Sequence, residues 1–237
     1  MRLSRIFALT LAVGLVAAAC SSSSDGADTA VPSTVPLLAV PTNYVGYLRQ
    51  PTACDAQQPE PAVDMKFDAP QDIGVTGLAT ISLNTSCGTI DIAVDPSSAP
   101  ETVNSFVFLA ESGYFDGTVS HRIVPGFMMQ AGDPTATGLG GPGYTVPDEY
   151  PDEPTYLRGT VAMANAGPGT TGSQFFILFG DAQWLPPTFT IFGQVVDGFD
   201  TLDRIEQIPL GRGPNSADPE PSTPLETLYI ESVSITG

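Results

Sequence analysis

The sequence predicts a mainly-β domain, an antiparallel sheet closed into a barrel with helices over its open ends. Three observations predict it. Short apolar segments recur between Gly-, Pro- and Thr-rich breaks from about Leu78 to the C-terminus. Only two stretches carry helical spacing, and no internal repeat is visible.

Taken in order, Ala79 to Asn84 and Thr89 to Val94 read as strands joined by T-S-C-G, a hairpin signal. Asp95-Pro96-Ser97-Ser98 then opens a helix. Ala99, Val103, Phe106, Val107 and Ala110 recur on one face of it, and Gly113 stops it. Thr118 to Val124 and Phe127 to Gln130 read as strands broken at Pro125-Gly126. Asp133 to Pro154 is a long ordered loop rich in Gly, Pro and Thr. Gly159 to Ala164, Gln174 to Phe179 and Thr190 to Val195 follow as apolar strands, then a short helix over Phe199 to Gln207. After a Gly/Pro-rich loop, Leu225 to Ile235 makes the last strand.

The N-terminal part has another character. Arg2 and Arg5 precede an apolar run from Ile6 to Ala19 that is short for a membrane span and ends at Cys20 before four serines. Residues 1–19 therefore read as a lipoprotein-type signal with a lipid on Cys20, which tethers an exported protein to the outer side of the cell membrane. An ordinary secretory signal is the alternative. Residues 20–61 are Ser/Thr/Pro-rich and are expected to be mostly a flexible tether, with Tyr44 to Leu48 as the exception able to dock. Residues 62–77 form an N-terminal extension, and 78–237 the folded body. Of the remaining cysteines, Cys54 and Cys87 can form only one pair. An oxidising exterior favours a bridge, against the alternative of two buried thiols.

The chain holds 8 Lys and Arg against 26 Asp and Glu; losing residues 1–19 leaves six basic residues and a formal charge of −20. That excludes the basic footprint of a nucleic-acid binder and electrostatic docking to anionic lipids. Contact with a membrane is expected only through the lipid. One histidine, His121, and two cysteines do not make a zinc site, and no carboxylate cluster has ligand spacing. No metal or cofactor is expected. No G-x-S-x-G elbow exists, and Gly138 to Gly143 lacks the spacing of a dinucleotide loop.

Chemistry concentrates in Ser120 to Asp133, S-H-R-I-V-P-G-F-M-M-Q-A-G-D. A scarce cation, Arg122, sits beside Phe127, Met128, Met129 and the amide of Gln130. Buried unpaired it would be costly, so it needs a partner or some water. Period-two spacing puts Met128 and Gln130 on one strand face, and Gln174, Phe176 and Leu178 on another. If these faces converge, two amides meet an apolar wall. A filled core is the competing reading, which spacing does not separate.

This segment, V-A-M-A-N-A-G-P-G-T-T-G-S-Q-F-F-I from Val161 to Ile177, Trp184-Leu185 and I-F-G-Q-V from Ile191 to Val195 together resemble the cyclophilins, a family of peptidyl-prolyl cis–trans isomerases. The resemblance runs from roughly Leu78 to Gly237. It implies a closed barrel of eight antiparallel strands capped by two helices, isomerase activity on X-Pro bonds, and no cofactor. By motif, Arg122 matches the catalytic arginine; Phe127, Met128, Phe176 and Leu185 match the proline pocket. Gln130 and Gln174 match the polar groups near the substrate carbonyl, and Gln130 and Phe127 join Arg122 in the catalytic set. Ala164, Asn165 and Ala166 match the strip that holds the peptide backbone. Trp184 matches the rim indole associated with cyclosporin binding. Phe189 departs from a common histidine. The implied partners are proline-containing peptides or unfolded exported proteins, met by a monomer. A cyclophilin-fold peptide-binding module with little turnover is the alternative.

Overall fold

The computed structural model describes residues 39–214 and 216–237. The signal, Cys20 and the first part of the tether lie outside the described residues. Strands and helices are labelled in chain order. Strand β1 (Ala79–Thr85) alternates buried and half-buried positions, and its inward Ile81 and Leu83 are sealed from solvent. It turns through Ser86-Cys87 into β2 (Gly88–Val94), pairing Thr85 with Gly88. Helix α2 (Pro100–Glu111) follows, an earlier short helix α1 (Tyr44–Tyr47) having come first. Then come β3 (Arg122–Val124), β4 (Met128–Ala131), β5 (Thr160–Met163), β6 (Phe175–Leu178) and β7 (Ile191–Asp197). Helix α3 (Phe199–Ile205), a small ribbon of β8 (Leu210–Gly211) with β9 (Thr223–Pro224), and β10 (Ile230–Thr236) complete the order.

Eight strands form one antiparallel sheet in the order β10-β1-β2-β7-β5-β6-β4-β3. Its two edges meet. Gly117 N–H donates to Ile230 O at 2.8 Å, Ile230 N–H to Thr118 O at 2.8 Å, and Ser120 N–H to Leu228 O at 2.9 Å. The curled sheet thus spends its edge groups on itself. The expected strand from Thr118 shortens to three residues because Val119 bridges Asp133 on one side and Tyr229 on the other. The last strand likewise begins only at Ile230, since Leu225 to Tyr229 bend to make these closing contacts.

The barrel interior is filled by Ile81, Leu83, Ile90, Ile92, Ile123, Met129, Phe175, Ile177 and Phe192, with α2 contributing Phe106 and Val107. Asp95 does not cap α2. Its carboxylate accepts the Ser97 N–H at 2.8 Å in a separate turn. The helix instead opens at Pro100, and the carboxylate of Glu149, far along the chain, accepts the N–H groups of Glu101 (3.0 Å) and Thr102 (2.8 Å). An acid at a helix N-terminus satisfies orphan donors and meets the positive end of the dipole.

The N-terminal region is more structured than its composition suggests. The described residues from 39 onward belong to one unit with the barrel, so the body does not begin at 78. Phe67 packs edge-on against Phe108 (4.9 Å), and Asn104 in α2 bonds Ile73 N and Gln71 O. This covers the outer side of α2. Earlier, Tyr47 and Tyr44 pack with Val119, Ala136 and Tyr229. Pro51 and Ala53 exchange backbone bonds with Thr227, and Cys54 is joined to Cys87 in a disulfide. The tether expected over 20–61 is therefore attached to the barrel from residue 39 onward; two aromatic anchors, Tyr44 and Tyr47, and the disulfide outweigh a Pro/Thr-rich background.

Candidate active site

The two faces of β4 and β6 serve different purposes. Met129, Ala131, Phe175 and Ile177 point into the barrel. Met128, Phe176 and Leu178 point outward and form a second apolar cluster with Tyr156, Ala162 and Ala182. Phe127, Ala164, Leu185 and Phe189 pack on it, half-buried. Every residue of β6 is buried because both faces are covered, which is why its sequence reads as an unbroken apolar run.

Pairing sets the site's side chains abreast. Arg122 pairs with Gln130, Gln130 with Phe176, and Phe176 with Ala162. Arg122 and Phe176 thus flank Gln130, roughly 10 Å apart across two strand spacings. Phe127 meets Trp184 in a tilted pair at 4.8 Å, and Phe176 meets Phe189 edge-on at 5.4 Å. Trp184 is 69 % exposed and forms the rim.

A directional hydrogen-bond chain fixes the polar half. Arg122 Nη1 donates to Gln130 Oε1 (3.1 Å), which turns Gln130 Nε2 toward Gln174 Oε1 (2.9 Å). Gln174 Nε2 then donates to Gly138 O (3.1 Å) and Gly140 O (2.9 Å). The loop carrying these carbonyls is itself wound around Asp133, whose buried carboxylate accepts from the N–H groups of Thr135, Thr137, Gly138 and Gly140. Burial pushes the Asp133 carboxyl up, yet the bonds from Thr135 and Gly140 leave it below the ordinary carboxylate range. On the far side of the arginine stands Asp218, which sequence reading passed over. It accepts from Arg122 Nε at 2.8 Å and Nη2 at 2.5 Å. Asp218 is 96 residues from Arg122 in a Gly/Pro-rich loop, and no local spacing marks it.

The backbone strip is narrower than expected. Ala164 N–H is taken by Gln174 O and Ala166 N–H by Thr170 Oγ1. Asn165, its side chain held by Thr188 O (2.8 Å), has both backbone groups unbonded among the described residues. It can pair with an extended peptide as a strand would. A groove of about 500 Å³ lies beside this strip, lined by Gln130, Gly140, Ala166, Gln174 and Lys66. A second hollow of about 440 Å³ runs from Arg122 and Gln130 to Pro41, Tyr47 and the loop around Asp218.

His121 is structural. Its Nδ1 is enclosed with no hydrogen-bond partner among the described residues, and burial pushes the imidazole down to about 4, Asp133 opposing and Arg122 assisting. The unfolded chain takes up this proton first, so stability is complete above the ordinary histidine value and is lost as pH falls toward 4. Between pH 7.5 and pH 5 the loss is about 2 kcal/mol from this group. Denaturant unfolding at those pH values should show a smaller difference in His121→Gln than in the wild type; an equal difference would refute the assignment.

The family model described as cyclophilin type peptidyl-prolyl cis-trans isomerase/CLD matches residues 80–234. The chain belongs to the cyclophilin-type peptidyl-prolyl cis–trans isomerases. This cyclophilin is 40% identical over 160 residues to peptidyl-prolyl cis-trans isomerase-like 3 of Rattus norvegicus, covering 66% of this chain and 95% of that protein. It is 39% identical over 168 residues to the probable peptidyl-prolyl cis-trans isomerase B of Mycobacterium tuberculosis H37Rv, covering 64% of this chain and 54% of the relative, about half its length. A cyclophilin type isomerase of Cryptosporidium parvum has a similar crystal structure, with a TM-score of 0.61 and 32% identity over 68% of this chain and 98% of that one. The same Cryptosporidium protein has a structure in the presence of the dipeptide Ala-Pro. The matched span begins inside β1, so Lys66, Pro41 and Tyr47 are additions to the cyclophilin body that line its grooves.

Proposed function

We propose that this cyclophilin turns X-Pro bonds of exported proteins, with Arg122 as the catalytic group and Phe127, Met128, Phe176 and Leu185 as the seat of the proline ring. The observation that carries the reading is the row Arg122, Gln130, Phe176 on one outer face. It sets a cation, an amide and an apolar wall side by side on three neighbouring strands.

Rotation about an X-Pro amide has a barrier of about 20 kcal/mol, because nitrogen shares its lone pair with the carbonyl. No covalent step is needed to lower it. In the twisted state the prolyl nitrogen becomes pyramidal and can accept a hydrogen bond, which the planar ground state cannot. A guanidinium N–H aimed there stabilises the transition state selectively. Three of Arg122's five N–H bonds go to Asp218 and Gln130, leaving one on Nη1 and one on Nη2 for substrate. The ring stays in the apolar cup while the acyl side swings, its main chain held at Asn165. A thousandfold acceleration needs about 4 kcal/mol, the scale of one charge-assisted contact in a preorganised site.

Export and a lipid on Cys20 complete the proposal, supported by the apolar run that ends at that cysteine; the mass of the mature N-terminus tests it. For the site, exchange NMR on a short X-Pro peptide is the direct assay. Phe127→Ala removes half of the tilted pair with Trp184 at the rim and should raise KM about tenfold, the loss of about 1–2 kcal/mol of ring contact. An unchanged KM would place the proline elsewhere.

A further inference from the structure

We propose that Asp218 is a positioning residue for the isomerase, holding the guanidinium of Arg122 edge-on so that its two unbonded N–H groups face the substrate. The inference rests on the reaction proposed above and adds a residue to it.

The geometry is specific. Asp218 uses both oxygens on one edge of the guanidinium, Nε and Nη2, while Gln130 takes Nη1. Two anchors on different nitrogens define the plane and its rotation, which one anchor cannot do. Arg122 needs this. Its side chain is 36 % exposed, at the end strand of the sheet, whereas that of Asp218 is 14 % exposed. A free arginine there would spread over many rotamers, and ordering it would fall on the transition state.

The carboxylate is itself held. Arg212 bonds the backbone carbonyls of Asp218 (2.8 Å) and Pro219, and Ser216 Oγ accepts the Asp218 N–H at 3.3 Å. Ser222 in the same loop accepts the Ile123 N–H at 2.8 Å, which ties the loop to the strand that bears Arg122. Two exposed arginine bonds to a loop backbone have no role in packing the barrel; they fix where Asp218 stands.

A brake is the opposite reading, since a carboxylate neutralises the cation it touches. The contacts argue against it. A brake would cover the N–H groups that reach substrate, whereas Asp218 takes a side edge and, together with Gln130, leaves one N–H on each terminal nitrogen.

The test uses the full chain and a short X-Pro peptide. Asp218→Asn keeps the shape of the side chain and removes its charge and one acceptor pair. It should lower kcat about tenfold with KM within twofold. The Arg122 Nε–H resonance, sharp in the wild type, should broaden or move. Glu220→Gln, a change in the same loop with no bond to Arg122, should leave both readouts unchanged. An unchanged kcat in Asp218→Asn, or an increase, overturns the proposal, the increase making Asp218 a brake. A wild-type protein without turnover overturns the proposed reaction and this inference together, whereas normal wild-type turnover with a silent Asp218→Asn overturns this inference alone.

Discussion

Arg122→Ala is expected to lose a hundredfold to a thousandfold in kcat/KM on a short X-Pro peptide, the usual cost of deleting one preorganised transition-state donor. The fold should survive it. The Arg122–Asp218 pair is partly exposed, and such pairs contribute on the order of 1 kcal/mol to stability. The melting temperature should therefore fall by only a few degrees. Arg122→Lys should be nearly as inactive, because a point charge cannot hold two bonds to Asp218, one to Gln130 and still direct a donor at the prolyl nitrogen. Exchange NMR reads the rate and calorimetry the fold. Turnover in Arg122→Ala within threefold of wild type would remove the cation from the mechanism.

The largest stability effect should come from the disulfide. Cys54 and Cys87 are 33 residues apart, and closing a loop of that length stabilises the folded state by about 3–4 kcal/mol in the chain-entropy account. The double variant Cys54→Ser/Cys87→Ser should melt about 10 °C lower. Cys54 and Asp55 both adopt left-handed backbone angles, φ 61° and 57°, unfavourable for residues with a Cβ. The bridge and the Thr227 backbone bonds hold that turn in place, so its loosening should expose residues 39–56 to proteolysis first. Activity at 25 °C should be unaffected, because the bridge lies at the β1–β2 turn and the site on β3, β4, β6 and β5. A melting temperature unchanged by reduction would show that the N-terminal segment is held by packing alone.

Local information made the strands of the barrel and both larger helices legible, though not the β8–β9 ribbon in the Gly/Pro-rich loop. Ile81 and Leu83 alternate with half-buried neighbours, and Val103, Phe106 and Val107 recur at helical spacing, so each element announced its own buried side. Spacing also sorted Met128 with Gln130 and Gln174 with Phe176 and Leu178, but whether those faces converge on a pocket or a filled core, and that Gln130 lies beside Phe176, came only from the strand pairing. What spacing did not carry was contact between distant segments. Glu149 caps α2 across 47 residues from Thr102, Asp218 reaches Arg122 across 96, and Lys66 enters the peptide groove by bonding Gly141 O across 75. All three sit in stretches whose composition reads as loop. Their partners are chosen by the fold, and the same acid in another loop would mean nothing. The docking of residues 39–56 was hidden because Tyr44 and Tyr47 are sparse among polar neighbours.

One rung of the sheet has a consequence for how this protein can change. Arg122, Gln130, Phe176 and Ala162 are opposite one another across four strands. Adding or deleting one residue at the Pro125–Phe127 turn would rotate every later side chain of β4 to the other side of the sheet. The product could still close its barrel, with methionines exchanged for methionines at 128 and 129, and yet carry its amide inward and its cation alone. A one-residue change of length is thus barred at that turn, and also around Leu139, exposed though it is, because the carbonyls of Gly138 and Gly140 on either side of it hold Gln174 beside Gln130. New specificity in descendants of this chain should accumulate by exchange of side chains, with segment lengths beside the rung kept.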